Sequence, residues 1–302
     1  MNMPKLPEPD AQNKFFKAYR LMEGVTRITG LGFENCYLVE GTDRALLIDG
    51  LTGVGSLAAF VRELTDLPVS LALTHGHIDH AGMAWETGEC YIHPDDIALV
   101  YTRGDPAERL AFVNGTRNGG APRHAFLSLA DVPADRPLKT YPIYEGDVFD
   151  LGGTRIEVIS VPGHTCGTVV FLDRARRILF SGDACNTNTL VNLAGSTTIE
   201  EYLESLRHFK TYRSDFDVMY GGHGFGAVPN SIIDDGIQLC EDILAGRDDA
   251  IETANIGGAA WLALERDQNF APRRGLCNIV YRKDMLHKRP HPVITDAPNL
   301  YK

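Results

Sequence analysis

Long apolar runs are missing from these 302 residues, and with them any segment of membrane-spanning length. The first ten residues hold three prolines and lack the charged-then-apolar layout of an export signal. Cysteine is sparse: there are six, with no C-x-x-C pair, which excludes a disulfide framework and points to reduced thiols. Positive charge is short as well. Lys and Arg total 29 against 40 Asp and Glu, a net charge of -11 and a pI near 5.4. Such a chain is a poor partner for nucleic acid or an anionic membrane. Low-complexity tracts and short-period repeats are absent too. What remains is a chain expected to be cytoplasmic and globular, long enough to bury about three-quarters of its unfolded surface, and to act on a small molecule.

What is present reads as two similar halves. Strand-like stretches run from Arg20 to Ile48, with Gly41-Thr42-Asp43-Arg44 as a turn. The spacing of Leu57, Phe60, Val61 and Leu64 predicts a helix over Val54 to Thr65. A buried strand, Val69 to Leu73, follows. In the second half Ile156 to Val161 reads as a strand, and Thr168 to Leu172 with Ile178 to Ser181 as a hairpin. Thr198 with Glu201 predicts a capped helix. Asp217 to Tyr220 is a strand, Ser231 to Leu244 a helix and Cys277 to Tyr281 a late strand. This order suggests two packed sheets with helices outside. Between Tyr101 and Thr140 the alternation breaks down around a short helix signalled by Asp105-Pro106 and Asn114-Gly115. We expect a loose arm and lead-in over residues 1–19. A single domain would then span 20–302, with an insertion at 101–140 and a C-terminal segment at 227–302.

Seven donors stand at the ends of predicted strands: His75, His77, Asp79 and His80, then His164, Asp183 and His223. His75 and His77 are two apart, so an extended segment points both rings to one side. Gly76 between them lets the backbone turn tightly. An isolated histidine is most often a packed or surface residue. His-x-His-x-Asp-His after a buried strand, with three further donors in order, reverses that reading. Imidazoles and carboxylates without a thiolate suit zinc or another first-row metal.

The stretch Thr74-His75-Gly76-His77-Ile78-Asp79-His80-Ala81-Gly82 resembles the signature loop of the metallo-β-lactamase-fold hydrolase superfamily. Pro162-Gly163-His164-Thr165, Ser181-Gly182-Asp183 and Gly222-His223-Gly224 resemble its remaining ligand motifs, and Leu47-Ile48-Asp49-Gly50 its Asp-x-Gly stretch. The resemblance covers roughly residues 20–225 and implies an α+β fold, a four-layer αββα sandwich with a partly helical insertion between its halves. It also implies two divalent ions, zinc first, with iron or manganese as alternatives. His75, His77 and His164 would hold one, Asp79, His80 and His223 the other, and Asp183 would bridge them, as in the glyoxalase II and lactonase branches. Lactamases of the superfamily usually carry cysteine or serine where Asp183 stands, which disfavours antibiotic hydrolysis as the native role. The expected reaction is cleavage of a small ester, lactone, thioester or similar acyl substrate by a metal-bridging hydroxide, with Asp79 relaying a proton. The competing readings are a phosphodiesterase or ribonuclease of the superfamily, and an iron-dependent oxidoreductase such as a sulfur dioxygenase.

Other positions stay open. Asp49 reads either as a partner that orients a ligand imidazole or as a turn aspartate. Asn186, Asn188 and Asn192 either meet substrate or make turns. Arg103, Arg109, Arg117, Arg123, Phe112 and Phe126 form either a substrate lid or a solvated excursion, and Arg273, Arg274, Arg282, Lys283, Lys288 and Arg289 raise the same choice. Cys166 and Cys185 read as packing residues before redox ones, Tyr220 as a core residue, and His93 as part of a helix start.

Overall fold

The computed structural model describes residues 7–288, apart from 103, 118, 225, 256, 269 and 270. Eight strands build the first sheet in chain order: Ala11–Gln12, Lys17–Met22, Val25–Thr29, Asn35–Glu40, Ala45–Ile48, Val69–Ala72, Glu89–Ile92 and Lys139–Pro142. The first five pair antiparallel and the last four parallel. Parallel neighbours need crossovers, and helices Leu57–Leu64 and Ile78–Thr87 supply the first two. The second sheet has the order Ala227–Pro229, Val218–Gly221, Ile178–Gly182, Val169–Asp173, Arg155–Ser160, Val148–Asp150. Its one parallel pair, Ile178–Gly182 with Val218–Gly221, is joined through helix Ile199–Lys210.

Period-two alternation decides which face each side chain takes. Leu46, Ile48 and Val39 turn toward the second sheet and meet Val158, Val169, Phe171 and Phe180. Their neighbours Leu47 and Leu38 turn the other way, beneath Phe60 and Val61 of the first helix and Ala81 and Ala84 of the second. On the far side Val170, Leu172 and Leu179 lie under Tyr202, Leu206 and Phe209, with Leu239 and Ile243 of helix Ile232–Leu244. The layers therefore run helix, sheet, sheet, helix: the αββα sandwich that the motifs implied.

Local chemistry sets the helix ends. Ser56 accepts from Ala59 N–H at 3.1 Å, so the first helix begins at Leu57 rather than Val54. Thr198 and Glu201 form the reciprocal capping box the sequence announces. Asp105 caps helix Pro106–Asn114, and Gly115 ends it at φ 67°. Two features lie beyond the sequence reading. Ordered packing reaches back into the stretch expected as a lead-in, because Phe16 is buried and Lys17–Met22 is already a sheet strand. A third sheet joins Thr189–Val191 to Ile279–Tyr281 and to the hairpin Ile251–Asn255 and Gly258–Leu262. Two of its strands have three residues and the hairpin strands have five each.

Gly82 is fixed by contact. Its N–H donates to Leu51 O at 2.7 Å, and a Cβ there would lie 2.1 Å from Gly53 N. Replacing an ordinary helical glycine by alanine stabilises by about 1 kcal/mol. Gly82→Ala should instead destabilise by about 3 kcal/mol, since backbone must move aside. Urea unfolding checks the sign, and a stabilised variant would contradict this packing.

Candidate metal centre

Strand direction gathers the donors. Val69–Ala72 runs out into Thr74 and His75; Arg155–Ser160, Ile178–Gly182 and Val218–Gly221 point the same way and lead to His164, Asp183 and His223. His77 stands at the N-terminal cap of helix Ile78–Thr87, with Asp79 and His80 in its first turn, where a carboxylate suits the helix dipole. Gly222 lets the halves close: a Cβ there would fall 2.5 Å from His80 Cε1 and 2.8 Å from Asp183 Oδ1.

All seven donors expected from the sequence come together. Three overlapping sets each keep their ligand atoms within 4.8 Å of one another: His75, His77 and His164; His75, His80 and Asp183; Asp79, His80 and His223. His77 Nδ1 and His164 Nε2 face each other at 2.9 Å. Asp183 Oδ2 stands between the sets, 3.7 Å from His164 Nε2, 3.8 Å from His80 Nε2 and 3.4 Å from His223 Nε2. Asp79 Oδ2 is also 3.4 Å from His223 Nε2.

Outer hydrogen bonds aim the rings. His80 Nδ1–H donates to Asp49 Oδ2 at 2.9 Å, and His164 Nδ1–H donates to Leu190 O at 2.8 Å. His75 Nδ1 lies 3.0 Å from Thr74 Oγ1, whose hydroxyl donates to Asp49. In each case Nε2 is left to point inward. Asp49 thus touches both a candidate ligand ring and the strand end, where it accepts from Thr74 N–H at 2.7 Å.

Charge completes the fit. Burial and the neighbouring rings hold His75 well below the ordinary imidazole range, His77 at about 3, and His164 lowered as well. These rings are neutral lone-pair donors at pH 7. For His80 burial works against the charge, but Asp49, Asp79 and Asp183 prevail and push it up to about 9. Burial likewise opposes the charge on Asp79 and Asp183, and the facing imidazoles hold both carboxyls below the usual range. His75 Nε2, His80 Nε2 and Asp183 Oδ1 are buried without a hydrogen-bond partner. Orphaned buried ligand atoms beside ionised carboxylates fit divalent cations, which would take the place of the His80 proton.

Several functional-looking neighbours escaped the sequence reading. Asp96 is completely buried and ties two ligand loops together, accepting from Gly76 N–H at 2.8 Å, Gly167 N–H at 2.8 Å and Thr165 O–H at 2.7 Å. Its signal was the doubled acid of Pro94-Asp95-Asp96, where a helix start needs only one. Asn35 and Tyr37 reach across from the first sheet: Asn35 Nδ2 donates to Gly224 O at 2.7 Å and Tyr37 O–H to Gly221 O at 2.6 Å, pinning the His223 loop. Glu34 is buried beside Thr52, whose hydroxyl donates to it at 2.7 Å, and burial raises its pKa.

The open positions divide. A cavity of about 690 Å³ opens over the donors, and Asn186, Asn188 and Asn192 line it. From the insertion, Phe112 and Arg117 line it too, and so does Arg282 of the C-terminal basic cluster. Arg109 does not; it is buried and ion-paired with Asp135. Phe126 is exposed beneath Lys14, and the Arg123 side chain lies against Gly115. Arg273 pairs with Asp249, Arg274 with Asp242 and Lys288 with Glu204, while Lys283 sits over Trp261. Arg103 and Arg289 lie outside the described residues. Cys185 is packed in the core, Cys166 is exposed, Tyr220 stacks on Phe180, and His93 caps a 3-10 turn.

A family model described as the metallo-beta-lactamase superfamily matches residues 29–223. The acyl-coenzyme A thioesterase MBLAC2 of Gallus gallus is 30% identical over 181 residues, 57% of this chain and 64% of that protein. The match therefore spans just under two thirds of that relative. An uncharacterized protein of Mycobacterium tuberculosis is 30% identical over 207 residues, 63% of this chain and 85% of its own length. Among solved structures, a metallo-beta-lactamase from Pontibacter korlensis aligns with a TM-score of 0.53 over 75% of this chain and 99% of its own, at 16% identity. That likeness is one of fold.

Asp96→Ala should strand two backbone donors and a hydroxyl in the interior, costing about 3 kcal/mol. It should also lower metal content, read by elemental analysis of protein that remains folded; full metal content would remove Asp96 from this role. The raised pKa of His80 carries a pH sign. At pH 7 the metal-free ring is protonated, so an ion must displace its proton. Zinc uptake by the metal-free chain should release protons, and affinity should climb with pH until about 9. Titration in weak buffer with a pH indicator measures both.

Proposed function

Because the chain belongs to the metallo-beta-lactamase superfamily, we propose that it is a metal-dependent hydrolase of acyl thioesters. The reading rests on one observation above the others, the Asp183 carboxylate set between two groups of imidazoles. The thioesterase relatives supply the substrate class. His75, His77 and His164 would hold one ion, Asp79, His80 and His223 the second, with Asp183 shared and Asp49 keeping His80 in its tautomer. An all-nitrogen-and-oxygen set favours zinc. When bound, such a pair acidifies a water toward neutral pKa and polarises a carbonyl.

The protein's own groups do the rest. Water adds to the acyl carbon, the carbon–sulfur bond breaks, and the thiolate leaves with a proton passed through Asp79, whose carboxyl stands at the cavity floor. The products are a carboxylic acid and a free thiol. The asparagines after Asp183 offer amides along the wall to the acyl carbonyl. Free cysteines throughout the described residues suit a reducing, cytoplasmic setting.

Protein purified without added metal should carry close to two zinc ions per chain by elemental analysis. It should release thiol from acyl-coenzyme A, lose that activity to a chelator and regain it with zinc. Asp79→Asn should lower kcat about 100-fold, in the range of a lost proton-transfer group. Both ions retained with full turnover would exclude Asp79 as the relay. Iron near one per chain, with no thioester cleaved, would overturn the class.

A further inference from the structure

Of the five imidazoles in the donor cluster, His223 is the exposed one, with 40% of its side chain open. The rings of His75, His80 and His164 are each steadied from outside through Nδ1, by Thr74, Asp49 and Leu190. His223 differs. Its Nε2 faces Asp79 and Asp183, and among the described residues its Nδ1 has no hydrogen-bond partner. Its stretch of chain is not stiff by nature, since Gly221, Gly222 and Gly224 surround it and Gly224 stands at φ 87°. Glycine loses more conformational freedom on ordering than any other residue. The second sheet contributes the bond from Gly222 N–H to Gly182 O at 2.9 Å. The remaining hold comes from elsewhere.

Strand Asn35–Glu40 of the first sheet supplies it, through the loop backbone. Tyr37 O–H donates to Gly221 O at 2.6 Å, Asn35 N–H to Gly222 O at 2.8 Å and Asn35 Nδ2 to Gly224 O at 2.7 Å. Glu34 forms a β-bridge to His223 itself. Asn35 and Tyr37 are two apart, so an extended strand gives their side chains one face. Both clasping groups are themselves restrained. Thr29 O–H donates to Asn35 Oδ1 at 2.8 Å, which leaves Nδ2 as the end that meets Gly224. The Tyr37 ring packs on Phe180 at 5.0 Å and Tyr220 at 5.9 Å, and Asn35 and Tyr37 are both buried. Neither lines the cavity, so neither meets substrate. The loops of His75, His77 and His164 are tied separately, by Asp96.

We propose that Asn35 and Tyr37 are positioning residues for the ion at Asp79, His80 and His223, and that their clasp on the loop backbone sets how firmly this ion is kept. The ion at His75, His77 and His164 does not depend on them. This rests on the two-ion reading of the donor cluster and adds to it two residues that touch no ion. Without the clasp the His223 ring would sample positions away from Asp79 and Asp183, and the ion would lose one of its ligands for part of the time.

The test titrates metal-free protein with zinc against a chromophoric chelator, which resolves one affinity for each ion. The affinity that disappears in His223→Ala identifies the ion at Asp79, His80 and His223. In Tyr37→Phe, which removes only a hydroxyl, that affinity should weaken about tenfold, as expected when a partner outside the ligands is lost. Release of that ion into excess chelator should quicken by a similar factor, while the other affinity stays within about twofold. Asn35→Ala should act in the same direction; if it does not fold, Tyr37→Phe decides alone. Tyr281→Phe gives up a hydroxyl bond to Asp248 of 2.7 Å in the third sheet and should change neither ion. Loss confined to one ion is what general loosening of the fold would not produce. Affinities in Tyr37→Phe equal to those of the wild type, or both ions weakened alike, overturn the clasp while the two-ion reading stands. Wild-type protein that takes up one ion or none ends that reading, and the proposal with it.

Discussion

His75 Nε2, His80 Nε2 and Asp183 Oδ1 are buried together with no hydrogen-bond partner, at the edge where both sheets end. Leaving polar atoms in that state costs of order 1–3 kcal/mol each. Most of a folded interior avoids it. Here the arrangement is reinforced, because the outer nitrogens of His80 and His164 are committed to Asp49 and Leu190, so the inner nitrogens cannot turn away. Cations between the rings would satisfy the orphaned atoms and balance the two ionised carboxylates at once. Much of the surrounding structure serves to keep this costly cluster in register.

Two kinds of support do that work. Asp96 binds the loop carrying His75 and His77 to the one carrying His164. Asn35 and Tyr37 bind the His223 loop of the second sheet to a strand of the first. The bonds cross between halves far apart in sequence, so loosening one loop would disturb donors on the other. Close approach at Gly222 serves the same end, since a methyl group there would meet His80 of the other half, while Gly82 lets its helix pack on the Thr52-Gly53 backbone within the first half.

The rim obeys different physics from the floor. The floor is a fixed set of nitrogen and oxygen atoms, tolerant of little change. The cavity wall is assembled from the insertion, the asparagine loop after Asp183 and the C-terminal segment, which meet only in the folded chain. The side chains that could hold ions and those that line the rest of the cavity therefore come largely from separate parts of the chain.

The donor set was legible in sequence because each of the seven follows a buried strand, and parallel strands deliver their C-terminal ends to one edge. Layer order was legible from the order of strands and helices in each half and from the family resemblance, whereas the opposite facing of Leu47 against Leu46 and Ile48 shows only in the packed sheets. The caps at Thr198 and Asp105 are local hydrogen bonds, and local chemistry shows in a few neighbouring letters. Asp96, Asn35 and Tyr37 act on partners 69, 189 and 184 positions away, so no short pattern marks them. Of the third sheet the sequence showed only the strand at Cys277 to Tyr281, because its pairing with Thr189–Val191 and with the hairpin Ile251–Asn255 and Gly258–Leu262 joins segments far apart in the chain. Arg109 and Arg117 look alike in the insertion, yet one is buried on Asp135 and the other lines the cavity. Sequence determined which atoms can coordinate and which strands carry them. Only tertiary structure decided which charges face the cavity, because that depends on the distances between segments that the chain brings together by folding.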